Sequence, residues 1–247
     1  MCQRRDLLRA LCALPPALLL AGCTRLLPGS GPPPNLYQLS PKSTFSERLP
    51  RVDWQLTVEV PFASTALNTA RIAIQQSPTQ IDYYARASWT DRAPLMVQTL
   101  MVESFENSRR IVGIGRDAIG LRSDFVLKTE LREFQVEAYH PDSGQVHVSL
   151  DAKLVKMPER TIVAAAEFME MAAADVDDLN TVIPAFDQAL GGLLKRLVEW
   201  TLISGEAALR KAGAASAAPA GPASPRALPA RSAPTARRPA PTAAARR

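Results

Sequence analysis

The chain has 247 residues, 47% hydrophobic and 21% charged, the balance of one globular domain with extensions. Its net charge of +5 sits at the ends: residues 1–22 carry +2 and residues 212–247 carry +6, leaving 23–211 at −3, which argues against a basic nucleic-acid-binding domain. Cys2 and Cys12 fall in a segment expected to be removed, so Cys23 stands alone, excluding an intrachain disulfide or a cysteine-pair zinc site.

Arg4 and Arg5 precede an apolar run from Leu7 to Ala21 that Pro15 and Pro16 interrupt. It is too short and broken to span a bilayer, and it reads as a secretory signal over residues 1–22. Leu20-Ala21-Gly22-Cys23 resembles a bacterial lipobox, in which small residues fit the peptidase and the Cys23 thiol accepts a diacylglyceryl group. An ordinary signal peptide with an incidental cysteine is the plainer alternative. By resemblance to lipoproteins the mature end carries three acyl chains, palmitate among them, and Thr24 in place of aspartate points to the outer membrane. Arg4-Arg5-Asp6-Leu7-Leu8 fits a twin-arginine export motif and a general secretory signal about equally. Residues 23–35, with Pro28, Gly29, Gly31 and Pro32-Pro33-Pro34, form a stiff tether.

The domain is expected over 36–208. Val52 to Val60 alternates with apolar side chains at even positions, a half-buried strand closed by Pro61. Arg71 to Gln75 alternates too, and Ile81, Tyr83, Ala85, Ala87 and Trp89 define a strand face. Asp91 as cap and Pro94 in the first turn open a helix whose stripe runs through Met96, Leu100 and Phe105, widened by Leu95, Val97 and Met101. A short run, Ile111 to Ile114, is followed by a loop. A long strand starts at Asp124: Phe125, Leu127 and Leu131 share a face, while Phe134, Val136 and Ala138 are out of phase, so a bulge is expected near Arg132 and Glu133. Pro141 to Gly144 is a turn, and Val146 to Leu154 returns as the second arm of an antiparallel hairpin. Thr161 to Met171 suits helix by its alanines and strand by its alternation; strand is preferred. A last helix runs from about Thr181 to Ile203, burying Val182, Phe186, Leu190, Leu193 and Leu197. Gly191-Gly192 in its middle implies close packing against the sheet or a mild kink. Residues 209–247 form an Ala/Pro/Arg tail, read as disordered. Together these elements make one α/β domain, two main helices packed on a sheet built around a long antiparallel hairpin.

No catalytic, cofactor-binding or metal-ligating constellation stands out. His140 at the turn and His147 on the polar side of its strand read as solvated surface histidines, with no second and third ligand at useful spacing. Gly113-Ile114-Gly115 with Gly120 lacks dinucleotide-loop spacing and reads as a flexible loop. Asp175, Asp177 and Asp178 read as a solvated loop before the last helix.

Three segments together resemble the ABC-type transport auxiliary lipoprotein family: Tyr37-Gln38-Leu39 with the strand ending Val58-Glu59-Val60-Pro61; Trp89-Thr90-Asp91-Arg92-Ala93-Pro94-Leu95; and Asp124 to Lys128 through Leu131-Arg132-Glu133-Phe134. Pro184-Ala185-Phe186 closes the domain similarly, and the likeness spans roughly 36–204. The chain departs from the family in having Ala93 where an acid is usual and in carrying the tail. The resemblance implies a mixed sheet, no enzymatic activity and no cofactor. It also implies a periplasm-facing lipoprotein, anchored to membrane lipid through Cys23. Its implied partner is an inner-membrane ABC transporter, permease and ATPase, reached through an MCE-domain protein that moves phospholipid or another hydrophobic cargo. A homo-oligomer is compatible with it. Two other classes fit the same residues: a structural lipoprotein bridging outer membrane and cell wall, and an envelope enzyme.

Overall fold

The alternating segments assemble into a single mixed sheet. The computed structural model describes residues 33–116, 122–139 and 144–217, the side chains of 215–217 excepted. The leader, Cys23, the tether before residue 33, Gly120, His140, most of the Pro141–Gly144 turn and the tail beyond 217 lie outside the described residues. The strands are β1 (Asn35–Tyr37), β2 (Val52–Val58), β3 (Phe62–Ala63), β4 (Arg71–Ser77), β5 (Gln80–Trp89), β6 (Ile111–Arg116), β7 (Phe125–Glu137), β8 (Gln145–Lys156) and β9 (Thr161–Ala173). The helices are α1 (Ala93–Ser108) and α2 (Leu179–Ala217).

β7 is the spine. On one side it pairs antiparallel with β8, from Phe125 opposite Lys156 to Glu137 opposite Gln145, and β8 pairs antiparallel with β9. On the other side three parallel strands share its length: β2 along Phe125–Leu127, β3 at Glu130 and Leu131, β4 along Gln135–Glu137. β6 extends the β2 wing, and β5 with β1 extends the β4 wing. The expected bulge is present: the β7–β8 register skips between Leu131 and Glu133, so Phe134 and Val136 return to the face of Phe125 and Leu127.

That face carries the core. Trp89, 1% exposed, sits with Phe134 at 5.6 Å and Phe186 at 5.1 Å between ring centroids, and Phe134 meets Phe186 at 5.0 Å. Trp54 stacks edge-on to Phe125, and Phe168 edge-on to Trp200. α1 buries Met96, Val97, Leu100, Met101 and Phe105 of its expected stripe, leaves Leu95 only half-buried, and also buries Gln98, whose amide donates to the Val58 carbonyl at 2.9 Å. Arg109, in the left-handed region at φ 52, ends α1.

Several expectations are corrected. Arg92, not Asp91, occupies the cap position of α1 and makes no side-chain cap bond; Asp91 accepts from the Arg92 amide instead. The Val52–Val60 strand stops at Val58, and Val60 is exposed, because the chain steps from the β2 position along β7 to that of β3. On β5 only Ala87 and Trp89 of the apolar set are fully buried: the ladder to β4 is irregular and Arg86 has φ 56, so Ile81 and Ala85 face outward. Gly113 and Gly115 lie in β6 rather than a flexible loop; a Cβ on Gly113 would stand 2.6 Å from Gln55 Cγ, so glycine fits beside β2. α2 runs past Ile203 to Ala217, into the stretch read as tail, since residues 204–217 hold alanines and no proline. The described residues up to Leu209 form one compact unit, and Arg210–Ala217 belong to a second.

A strap joins β1 to β2. The Ser40 amide donates to Asp187 Oδ1 on α2 at 2.6 Å and the Ser46 amide to Glu199 Oε1 at 3.1 Å. On α1, Ser104 Oγ accepts from the Lys42 amide and Asn107 donates to the Lys42 carbonyl. Leu39 and Leu49 are buried at its two ends. One segment therefore binds both helices, which lie together on one face of the sheet.

Candidate functional site

The opposite face is polar along β7 and β8 and carries Met169 and Met171 on β9. Its side chains follow from strand alternation: Lys128, Glu130, Glu133, Gln135 and Glu137 on β7, and Gln145, His147, Ser149 and Asp151 on β8. Across the strands they form rows: Gln135, His147 and Met171; Glu133, Ser149 and Met169. Toward the β2 end the face is laced by ion pairs, Lys128 with Glu59 at 2.6 Å and Arg132 with Asp151 at 2.6 Å. Both pairs are substantially exposed, so each is worth at most about 1 kcal/mol.

The other end of this face is more buried. His147 Nδ1 meets Glu137 Oε1 at 2.7 Å, with the two side chains only 13% and 7% exposed. Gln145 donates to the second Glu137 oxygen at 2.9 Å. Gln135, 1% exposed, donates to Glu133 and accepts from the Phe134 amide. The phenol of Tyr139 is held above its ordinary pKa by desolvation first, then by the charge of Glu137 and a hydrogen bond to it, and by Glu133. The His147 Nε2 atom is buried and has no hydrogen-bond partner. His147 is thus not the solvated surface histidine expected from sequence. It lies on the predicted side of its strand, but the hairpin brings Glu137 against it and both side chains are largely buried.

The remaining candidates stay apart. Asp175, Asp177 and Asp178 form the expected loop before α2, where Asp178 accepts from the Asn180 amide and Thr181 donates to Asp178 and Asp175 carbonyls. Nearby Tyr84 donates to the Val176 carbonyl at 2.7 Å; burial first, then Asp177 and Asp175, raises its pKa. Cys23 and His140 lie outside the described residues. Among the described residues no three His, Cys, Asp or Glu side chains are grouped to hold a metal ion, and no helix is long and apolar enough to cross a membrane. Sequence reading missed the Glu137–His147 pair. The signal was available in the hairpin: a turn centred near residue 141 sets Gln135 opposite His147 and Glu137 one step along the same face.

Comparison with known proteins gives a consistent result. A crystal structure of protein XCC0632 from Xanthomonas campestris is 29% identical, with a TM-score of 0.68, covering 71% of this chain and 99% of that one. A second crystal structure, of an uncharacterised protein, shares the fold at 15% identity and a TM-score of 0.53. An uncharacterised protein of Bradyrhizobium diazoefficiens is 24% identical over 191 residues; the match takes in 75% of this chain and spans about half, 50%, of that relative's length. The family model described as ABC-type transport auxiliary lipoprotein component matches residues 37–198, from β1 into α2, and the chain belongs to that family.

Proposed function

We propose that the protein is a non-catalytic auxiliary subunit of an ABC/MCE-type system that moves phospholipid or another hydrophobic molecule across the envelope. In this reading it is held in the outer membrane by acylated Cys23, faces the periplasm, and meets the inner-membrane permease and ATPase through an MCE-domain protein. The family match across the domain is the observation that carries it. The physics of the chain supports it: several acyl chains, at about 0.8 kcal/mol per buried methylene, anchor firmly where one does not. Residues 24–34 then reach at most roughly 36 Å, at about 3.3 Å per residue, before β1 begins.

Each part of this reading can be tested. Cys23→Ser should abolish fatty-acid labelling and shift the protein out of the membrane fraction; a mutant that keeps both would end the anchoring claim. Capture of the full chain from cross-linked envelopes should recover an MCE-domain protein or its transporter, and deletion should raise sensitivity to detergent. Recovery of cell-wall material alone would favour a structural bridge, and substrate turnover by the purified chain an enzyme.

A further inference from the structure

The sheet face opposite the helices holds a donor set that the transport reading does not use. Met171 is directly across from His147, and Met169 is the next residue along the same face of β9. Met171 and Met169 are about half exposed as residues, 46% and 48%, whereas Met96 and Met101 of α1 are buried in the core. Directly opposed side chains in such a ladder have Cβ atoms about 4.5–5.5 Å apart and diagonal ones about 7–8 Å, and a methionine side chain with three rotatable bonds spans either gap. Being half exposed, both can turn toward the imidazole without unpacking the core.

The imidazole is prepared for a ligand. Its Nδ1 faces the Glu137 carboxylate at 2.7 Å, and that carboxylate is itself held by Gln145. In the neutral ring this contact puts the proton on Nδ1 and leaves the lone pair on Nε2, the atom that is buried without a partner. A carboxylate behind the far ring nitrogen is the arrangement that orients metal-binding histidines and raises their donor strength. Two thioethers are soft donors and the imidazole nitrogen a borderline one; the thioether majority suits a monovalent d10 ion and suits zinc, magnesium or calcium poorly. A single positive charge at Nε2 would also be attracted to Glu137 through the ring.

We propose that His147 Nε2 with the sulfurs of Met169 and Met171 forms a binding site for a soft monovalent ion of the Cu(I) class, with Glu137 as its positioning residue. This is independent of the transport reading. The test uses the full chain in detergent with Cys2, Cys12 and Cys23 changed to serine, so that no thiol competes. Cu(I) is titrated without oxygen against a colorimetric Cu(I) chelator, and the methionine methyl resonances are followed by NMR. The chain should withhold one Cu(I), shifting the Met169 and Met171 methyl signals and the His147 ring but not Met96 or Met101. Met169→Leu and Met171→Leu, close in volume and therefore mild for the fold, should each weaken binding at least tenfold. Glu137→Gln should weaken it about 10–100-fold while keeping the stoichiometry. Zn(II) should bind far more weakly than Cu(I). No withheld Cu(I), equal retention by a Met169→Leu/Met171→Leu double variant of unchanged melting temperature, or equal binding of Zn(II) would each overturn the assignment.

Discussion

Replacing Trp89 by alanine tests the core directly. The indole is 1% exposed at the end of β5 and meets the rings of Phe134 and Phe186, which also touch each other. Truncating a buried Trp or Phe to alanine costs about 3–5 kcal/mol, from lost transfer energy and the cavity left behind. Each lost aromatic pair adds roughly 0.5–1.5 kcal/mol in favourable geometry, so the upper half of that range is expected. The site cannot readily collapse, because β7 and α2 hold the two phenylalanines from opposite sides. For a domain of this size the loss corresponds to a melting shift of about 6–20 °C, at roughly 2–4 °C per kcal/mol. Chemical denaturation of Trp89→Ala, Phe186→Ala and the double variant gives the loss and the coupling; Trp89→Phe, which keeps a ring in place, should recover most of the loss. A loss below about 1 kcal/mol, with the two single substitutions adding without coupling, would refute a shared three-ring core and make Trp89 a surface contact.

The strap predicts a local effect: Asp187→Ala frees the Ser40 amide, so hydrogen exchange should accelerate over residues 38–48 while the central hairpin stays protected. Glycines of α2 should split in sign. Gly191→Ala, with nothing within 4 Å of the added Cβ, should stabilise by about 0.5–1 kcal/mol, whereas Gly205→Ala places a Cβ 2.6 Å from the Trp54 ring and should destabilise, both read from melting curves. Tyr84 has its folded-state pKa raised above the unfolded value near 10, so its contribution is complete below about pH 10 and lost as pH rises beyond it. Tyr84→Phe should therefore cost about 1 kcal/mol at neutral pH, through the bond to Val176, and flatten the alkaline loss of stability between about pH 10 and 12 in denaturation at stepped pH.

The fold was legible wherever burial imposes a period. The β7 bulge followed from one phase change between Leu131 and Phe134, because a strand that keeps one face on a core must insert a residue to shift phase. Ile162, Ala164, Ala166 and Phe168 gave β9 by alternation although alanine favours helix, since pairing along the full length of β8 outweighs a weak intrinsic propensity. Alternation misled on β5, where the irregular ladder to β4 and the left-handed Arg86 leave Ile81 and Ala85 exposed. The strap from Gln38 to Arg51 has no period to read. Its order comes from Asp187, Ser104 and Glu199, side chains 62 to 153 residues distant in sequence.

The same distinction explains why the family was readable and the histidine was not. Order and spacing of core segments form a pattern along the chain, and together with Leu20-Ala21-Gly22-Cys23 they pointed to the family whose model matches residues 37–198. His147, by contrast, takes its character from Glu137, ten residues back across a turn, and from Met171, 24 residues forward on another strand. Linear spacing rules for metal ligands assume a helix or a short loop, where neighbours in space are near in sequence. In a meander of three long strands they fail, and the register must be worked out first. Once Gln135 is set opposite His147, the row continues to Met171 without further assumption, and the chemistry of this face becomes a consequence of strand pairing rather than of any motif.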